Sequence, residues 1–282
     1  MALSPSSPAQ AAREAVSKRL RELRLDAGLS GHEVAVRSGW SKSKSSRLEN
    51  ARTTPSDADI RDWCRACGTE GEAADLIAAN RAADSMYVQW KRVHRNGMRR
   101  SQEDIMSLFE RTRLCRAYCS NVVPGLVQTR EYATALMRRI TAFQRTPNDV
   151  EAAVEARVAR SRLLREGDHR YALLIEESVL RYRIGDRFVM RGQLEALAAV
   201  MGLPRVSLGV IPFDADRLMW PLEAFLIFDN HQVMTESLSA VVTIKAPGEI
   251  DTYDSAFRIL TGMAVYGSDA RALITKAAAA LK

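Results

Sequence analysis

Ser41-Lys42-Ser43-Lys44-Ser45-Ser46-Arg47-Leu48-Glu49-Asn50 has the composition of a short helix with a narrow apolar stripe and a basic face. Ser41 has the side chain an N-cap requires, an oxygen that can accept from the free amides of the first turn. Lys42, Ser43 and Lys44 then crowd the amide-rich, partly positive end, an arrangement that favours an anion in front of it. Leu48 is the only strongly apolar residue of the run. Arg47 follows Ser43 and Lys44 by four and three residues, which puts all three on one exposed face. Taken alone, a run of this composition is more often an ordinary solvated surface helix than a reader.

The preceding segment tips the choice. Ser30-Gly31-His32-Glu33-Val34-Ala35-Val36-Arg37-Ser38-Gly39 opens with a serine followed three residues later by glutamate, a capping box. Gly39 stands where a left-handed residue closes a helix. Two short helices joined by a tight glycine-containing turn, the second one basic, make a helix-turn-helix unit, whose second helix lies in the major groove of DNA.

Residues 15–68, with LRELRLDAGLSGHEVAVRSGWSKSKSSRLENARTTPS over Leu20 to Ser56, resemble the DNA-binding domain of XRE-type regulators, the phage-repressor class. The resemblance implies base contacts from Lys42, Ser43 and Arg47, with Lys44 reaching bases or phosphates. It implies phosphate contacts from Ser41, Asn50 and Arg52. It also implies that Arg24 and Glu49 pair across the helices and fix the third helix against the first. Ser45 departs from the family, which usually has valine or isoleucine there; its buried hydroxyl needs a partner, most simply the carbonyl four residues back.

Around this unit, residues 12–27 read as a first helix with Val16, Leu20, Leu23 and Ala27 on one face. Residues 57–66 follow the Ser56 N-cap as a fourth helix with Ile60, Trp63, Cys64 and Cys67 inward, and residues 72–83 are a fifth. The expected organisation is a flexible tail over 1–11, an all-α five-helix DNA-binding domain over 12–83, a linker over 84–102 and a C-terminal α/β regulatory and partner-binding domain over 103–282. Residues 1–68 hold 12 Lys/Arg against 8 Asp/Glu, whereas residues 117–282 hold 20 against 19, so the basic excess of this +7 chain lies with the reader. No apolar run approaches the ~18 residues of a membrane span, and the Ser/Pro-rich start has no signal-peptide pattern; a cytoplasmic protein is expected.

In the linker, Tyr87, Trp90 and His94 alternate with Lys91, Arg92, Arg95, Arg99 and Arg100. Such mixing suits either stacking on nucleic acid or docking onto the next domain. Residues 103–119 read as a helix. Val122-Val123-Pro124-Gly125-Leu126-Val127-Gln128-Thr129-Arg130-Glu131-Tyr132-Ala133 then resembles the VPGLLQT signature of actinobacterial regulators, WhiJ-like proteins among them, that join an XRE-type reader to a C-terminal domain. The resemblance implies control by a small partner protein, often encoded nearby. Beyond it come a helix over 149–165, a β-α-β unit with strands at 171–175 and 206–211, a hairpin over 225–236, an edge strand at 241–244, and helices at 247–264 and 268–281.

Chemical motifs are sparse. Cys64, Cys67, Cys115 and Cys119 form two pairs at helical spacing, open to burial as small apolar residues, to zinc and to a disulfide. The histidines, His32, His94, His169 and His231, show no metal-ligand spacing, and no phosphate-binding or nucleophile-elbow motif occurs. Glu176-Glu177 is the nearest carboxylate pair, expected to be solvated or paired with Arg181 and Arg183 and, as adjacent strand residues, on opposite faces. No catalytic residue, cofactor or metal is expected. A rival reading, an enzyme domain tethered to DNA, needs His169 or His231 gathered with Glu176 and Arg181. A ligand-sensing reading needs a pocket of Trp220, Phe225, Phe228 and Tyr253. A homodimer on an operator is expected, since such readers gain specificity from two half-sites.

Overall fold

The computed structural model describes residues 8–245 and 247–281, apart from the side chains of residues 8–11, 82–87 and 91. The chain divides into two compact units, Met1–Val88 and Gln89–Lys282.

The first unit is helical: α1 (Pro8–Asp26), α2 (Gly31–Arg37), α3 (Lys42–Glu49), α4 (Asp57–Cys67) and α5 (Ala73–Met86). Of the expected tail, residues 1–7 lie outside the described residues, and Pro8 already begins a helix, a position where its missing N–H is no loss. Helix α1 stops at Asp26 and Gly28 turns at φ +66°, so Ala27 is exposed and not, as its spacing suggests, in the core. Val16, Leu20, Leu23, Val34, Leu48, Ile60, Trp63 and Cys64 form that core. The Trp63 indole donates to the Leu20 carbonyl at 2.9 Å, tying α4 to α1 without a buried orphan donor.

Strand β1 (Tyr87–Gln89) spans the division, and the second unit goes on with α6 (Trp90–Val93), α7 (Arg99–Arg111), β2 (Leu114–Cys119), α8 (Arg130–Gln144), α9 (Val150–Ala159), β3 (Arg170–Glu176), α10 (Glu177–Arg181), α11 (Arg187–Val200), β4 (Val206–Ile211), β5 (Phe225–Phe228), β6 (Gln232–Glu236), β7 (Ala240–Ile244), α12 (Pro247–Met263) and α13 (Gly267–Ala279). The sheet order is β1-β7-β6-β5-β2-β3-β4. Strands β2, β3 and β4 are parallel, and β5, β6 and β7 continue antiparallel from β2. One face, with Cys115, Ala117, Cys119 and Phe228, packs on α7, α11 and α13. The other presents Tyr118 and Phe225 to Tyr253 and Phe257 of α12. The architecture is thus an all-α helix-turn-helix domain followed by an α/β domain.

Three local expectations change. The helix over 103–119 ends at Arg111, where Thr112 turns extended and its hydroxyl donates to the Leu108 carbonyl, and residues 114–119 form β2. Cys115 and Cys119 satisfy both the helical and the two-residue period, and pairing between β3 and β5 decides for the strand. The helix over 149–165 is split, with Arg160–Leu164 wound as 3-10. Residues 89–102 belong to the second unit: the Trp90 indole donates to the Ser237 carbonyl at 2.9 Å, its ring stacks on His94, and His94 meets Gln144 at 2.7 Å. The aromatics of this stretch that are described therefore dock onto their own unit; the side chains of Tyr87 and Lys91 lie outside the described residues.

Candidate nucleic-acid interface

The turn between α2 and α3 is held by local chemistry. The Glu33 amide donates to Ser30 Oγ at 3.2 Å and the Ser30 amide to Glu33 Oε2 at 2.7 Å, completing the capping box. These bonds to the charged form, the Ser30 amide first, hold the Glu33 carboxyl below its usual range. Gly39 sits at φ +68° and closes α2, so the chain reverses into α3 within a few residues.

Helix α3 turns Ser45 and Leu48 inward and leaves Lys42, Ser43, Ser46 and Arg47 exposed. Ser45 is 1% exposed, and its hydroxyl donates to the Gly31 carbonyl at 2.9 Å, with the Lys42 carbonyl at 3.1 Å. The partner is therefore across the turn and three residues back, not four: helix packing brings α2 closer than the helix's own preceding turn. Ser41 occupies the N-cap position, but its side chain makes no capping bond and lies 3.5 Å from Ser43 Oγ. The first amides of α3 thus keep their donors unmet by a side chain, at the end the macrodipole makes positive.

Lys44 does not share the face of Ser43 and Arg47. Its ammonium sits 2.6 Å from Asp59 and 4.2 Å from the centre of the Trp40 ring, which turns it back onto the domain. Asp59 caps α4 through Ser56; although burial pushes its carboxyl up, the hydrogen bonds from Lys44 and Ser56 leave it below its usual range. This anchor was not legible as such, although the Ser56-x-x-Asp59 capping pattern marks a fixed carboxylate nearby. The Asn50 side-chain amide donates to the Ser46 carbonyl at 2.7 Å at the end of the helix. Ala51 follows at φ +51°, and Arg52 is exposed just beyond, its backbone amide on the Arg47 carbonyl at 2.9 Å.

Arg24 of α1 and Glu49 of α3 form an ion pair through two contacts, of which Nη2 to Oε2 measures 3.2 Å. Their side chains are 11% and 13% exposed, and Arg24 Nη1 also donates to the Leu29 carbonyl at 2.7 Å. The reader is thus braced from below at the residue after Leu48.

In the second unit the signature run is a packing junction. Val123, Leu126 and Val127 are buried, the Gln128 amide donates to the Val123 carbonyl at 2.7 Å, and the Val123 amide donates to the Tyr132 hydroxyl at 3.3 Å. Thr129 caps α8, and its own amide donates to Gln193 of α11 at 2.7 Å.

The carboxylates are not solvated. Glu176 is 4% exposed, accepts both terminal nitrogens of Arg217 at 2.8 and 2.7 Å and the Tyr118 hydroxyl at 2.7 Å; Glu177 is 5% exposed and pairs with Arg181. Arg217, 41 residues after Glu176 in the loop between β4 and β5, carries no sequence signal for this role, and Arg183 is not the partner. His169 bonds the Thr112 carbonyl at the start of β3, and His231 lies in the β5–β6 turn, at the sheet end opposite Glu176, so the rival cluster does not assemble. Nor do the four aromatics line one pocket: Phe225 and Phe228 point to opposite faces, and Trp220 is 61% exposed. Cys64 and Cys67 lie in the first core, Cys115 and Cys119 in the second, and burial pushes the latter two thiols up to about 12. Among the described residues no group of three metal-ligating side chains occurs.

A family model described as a helix-turn-helix domain matches residues 15–77. A second, described as a domain of unknown function (DUF5753), matches residues 102–276. No curated protein matches. A solved structure described as "Structure of TrmBL2, an archaeal chromatin protein, shows a novel mode of DNA binding" is similar over 85% of this chain and 88% of that one, at 14% identity and a TM-score of 0.32.

Proposed function

Because the chain belongs to the DUF5753 family and places a helix-turn-helix domain ahead of that domain, we propose that it is a sequence-specific transcription regulator of the XRE type. We further assign it to the actinobacterial WhiJ-like group, acting as a cytoplasmic homodimeric repressor whose C-terminal domain answers to a small partner protein. The observation that carries DNA binding is the face of α3: Lys42, Ser43, Ser46 and Arg47 are exposed together, while Leu48 and the Arg24–Glu49 pair fix the helix from beneath. No described helix is long and apolar enough to cross a membrane, and Glu176 and Glu177 are each committed to an arginine, which favours a non-catalytic second unit.

Footprinting on the DNA upstream of its own gene tests the reading. Two protected half-sites about one helical turn apart are expected. Absence of protection at every salt concentration that leaves the protein folded refutes it.

A further inference from the structure

Arg160, in the 3-10 turn after α9, is 4% exposed. Among the described residues its Nε and Nη1 have no hydrogen-bond partner, and its Nη2 reaches Gln102 Oε1, at 3.2 Å. The guanidinium lies over the Phe109 ring, 5.1 Å from its centre. Arg157 stands one turn before it, with Nε on the same Gln102 oxygen at 3.0 Å and Nη1 on Gln128 Oε1 at 2.8 Å. Two guanidiniums therefore share one neutral acceptor. The Glu236 carboxylate acts on both through space, with no hydrogen bond to either among the described residues.

Arginine does not surrender its proton in proteins, so burial leaves a cation here that no ion pair among the described residues neutralises, Glu236 acting on it only through space. Elsewhere in this unit arginines that reach inward are matched: Arg116 to Asp254 and Arg217 to Glu176. Gly125 of the signature run borders the pair; a β-carbon built on it would lie 3.7 Å from Arg160 Nη2 and 3.8 Å from Arg157 Cζ. Gln128 of the same run holds Arg157. The signature thus walls one side of the two arginines with a residue that has no side chain.

We propose that the second unit binds a small oxyanion, a carboxylate or a phosphate, against Arg160 between α7, the 3-10 turn and the signature run. The ligand's oxygens accept from the free Nε and Nη1 and supply the missing negative charge. A planar guanidinium is suited to either anion. This site is independent of the DNA reading, since none of its residues belongs to the helix-turn-helix unit.

The full-length protein is titrated with acetate and, separately, inorganic phosphate at constant ionic strength against chloride, following the unfolding midpoint and the Nε–H resonance of Arg160. A saturable rise in midpoint with movement of that resonance is expected from one or both anions, and which one acts identifies the ligand class. In Arg160→Met both responses vanish, while the midpoint in chloride is no lower than that of the parent protein. If neither anion moves the resonance, or if the rise persists in Arg160→Met, the proposal fails. If the midpoint of Arg160→Met falls and no anion acts on the parent protein, Arg160 is merely structural. Should Arg160→Met not fold, the Nε–H resonance of the parent protein decides alone.

Discussion

Arg24 and Glu49 meet across α1 and α3 with only about a tenth of either side chain exposed, and the arginine simultaneously holds the Leu29 carbonyl at the entrance to α2. One side chain therefore orients both helices of the reader. Removing Arg24 leaves Glu49 as a buried charge without a counter-ion, so Arg24→Ala is expected to destabilise the N-terminal unit by about 3–5 kcal/mol although it lies beneath the DNA-facing surface. Calorimetry of the two proteins checks this, and an unchanged first transition refutes it.

Arg47 and Arg52 are both exposed, but at different places on the reader: one mid-helix, the other past Ala51 beyond the helix end. Arg47→Ala is expected to cost ~1–3 kcal/mol on the cognate duplex and little on a scrambled one. Arg52→Ala is expected to weaken both alike and to flatten the log K against log salt slope by about one unit. Anisotropy titrations over a salt series separate the two; equal losses on both duplexes for Arg47→Ala would reassign base reading to Lys42, Ser43 and their neighbours.

Lys44 holds Asp59 in its charged form. A carboxyl whose folded value lies below its unfolded one, ~3.9, stabilises the fold above that pH and loses the contribution as pH falls toward the folded value. Lys44→Ala is expected to raise the Asp59 midpoint in a carboxyl-detected NMR titration and to make acid unfolding begin at higher pH. A superimposable Asp59 titration curve would show that the 2.6 Å contact contributes nothing in solution.

Glu176 is buried with Arg217, itself about a third exposed, as its counter-ion. Arg217→Met is expected to destabilise the second unit toward the lower end of the ~3–5 kcal/mol for a broken buried pair. Glu176→Gln combined with Arg217→Met should recover part of that loss, because the stranded charge is gone. Urea unfolding of the single and double variants tests it, and a double variant no better than Arg217→Met rejects the coupling.

Gly97 has φ +99°, and a β-carbon there would fall 2.2 Å from the Asp149 carboxylate that accepts the Met98 and Arg99 amides at the start of α7. Gly97→Ala combines a left-handed backbone, ~1–2 kcal/mol, with displacement of that cap. A lower midpoint for the second unit is expected, and an unchanged one would show that Asp149 moves aside freely.

What the sequence discloses follows from how local the determining interactions are. The capping box at Ser30, the N-cap Ser56, the closing Gly39 and the hairpin around Asp229 act within a few residues, and each appears where its pattern stands. Strand β2 was hidden because Cys115 and Cys119 fit two periods at once, and only β3 and β5 on its flanks choose between them. The settings of Lys44, Glu176 and Arg160 are not legible for the same reason: Asp59, Arg217 and Gln102 come from other elements, and charge composition does not say which group a cation faces.

The bond from Ser45 to the Gly31 carbonyl changes what sets the angle between the two helices of the reader. Packing of a branched aliphatic side chain is insensitive to direction and fixes spacing by volume, whereas a hydrogen bond weakens steeply as it bends. In this chain the tilt of α3 is therefore specified by orientation as well as by bulk, and the torsion of one hydroxyl acts as its adjusting screw. The basic face of α3 is thereby presented at a defined roll about the helix axis, set partly by an atom on the opposite, buried side of the helix.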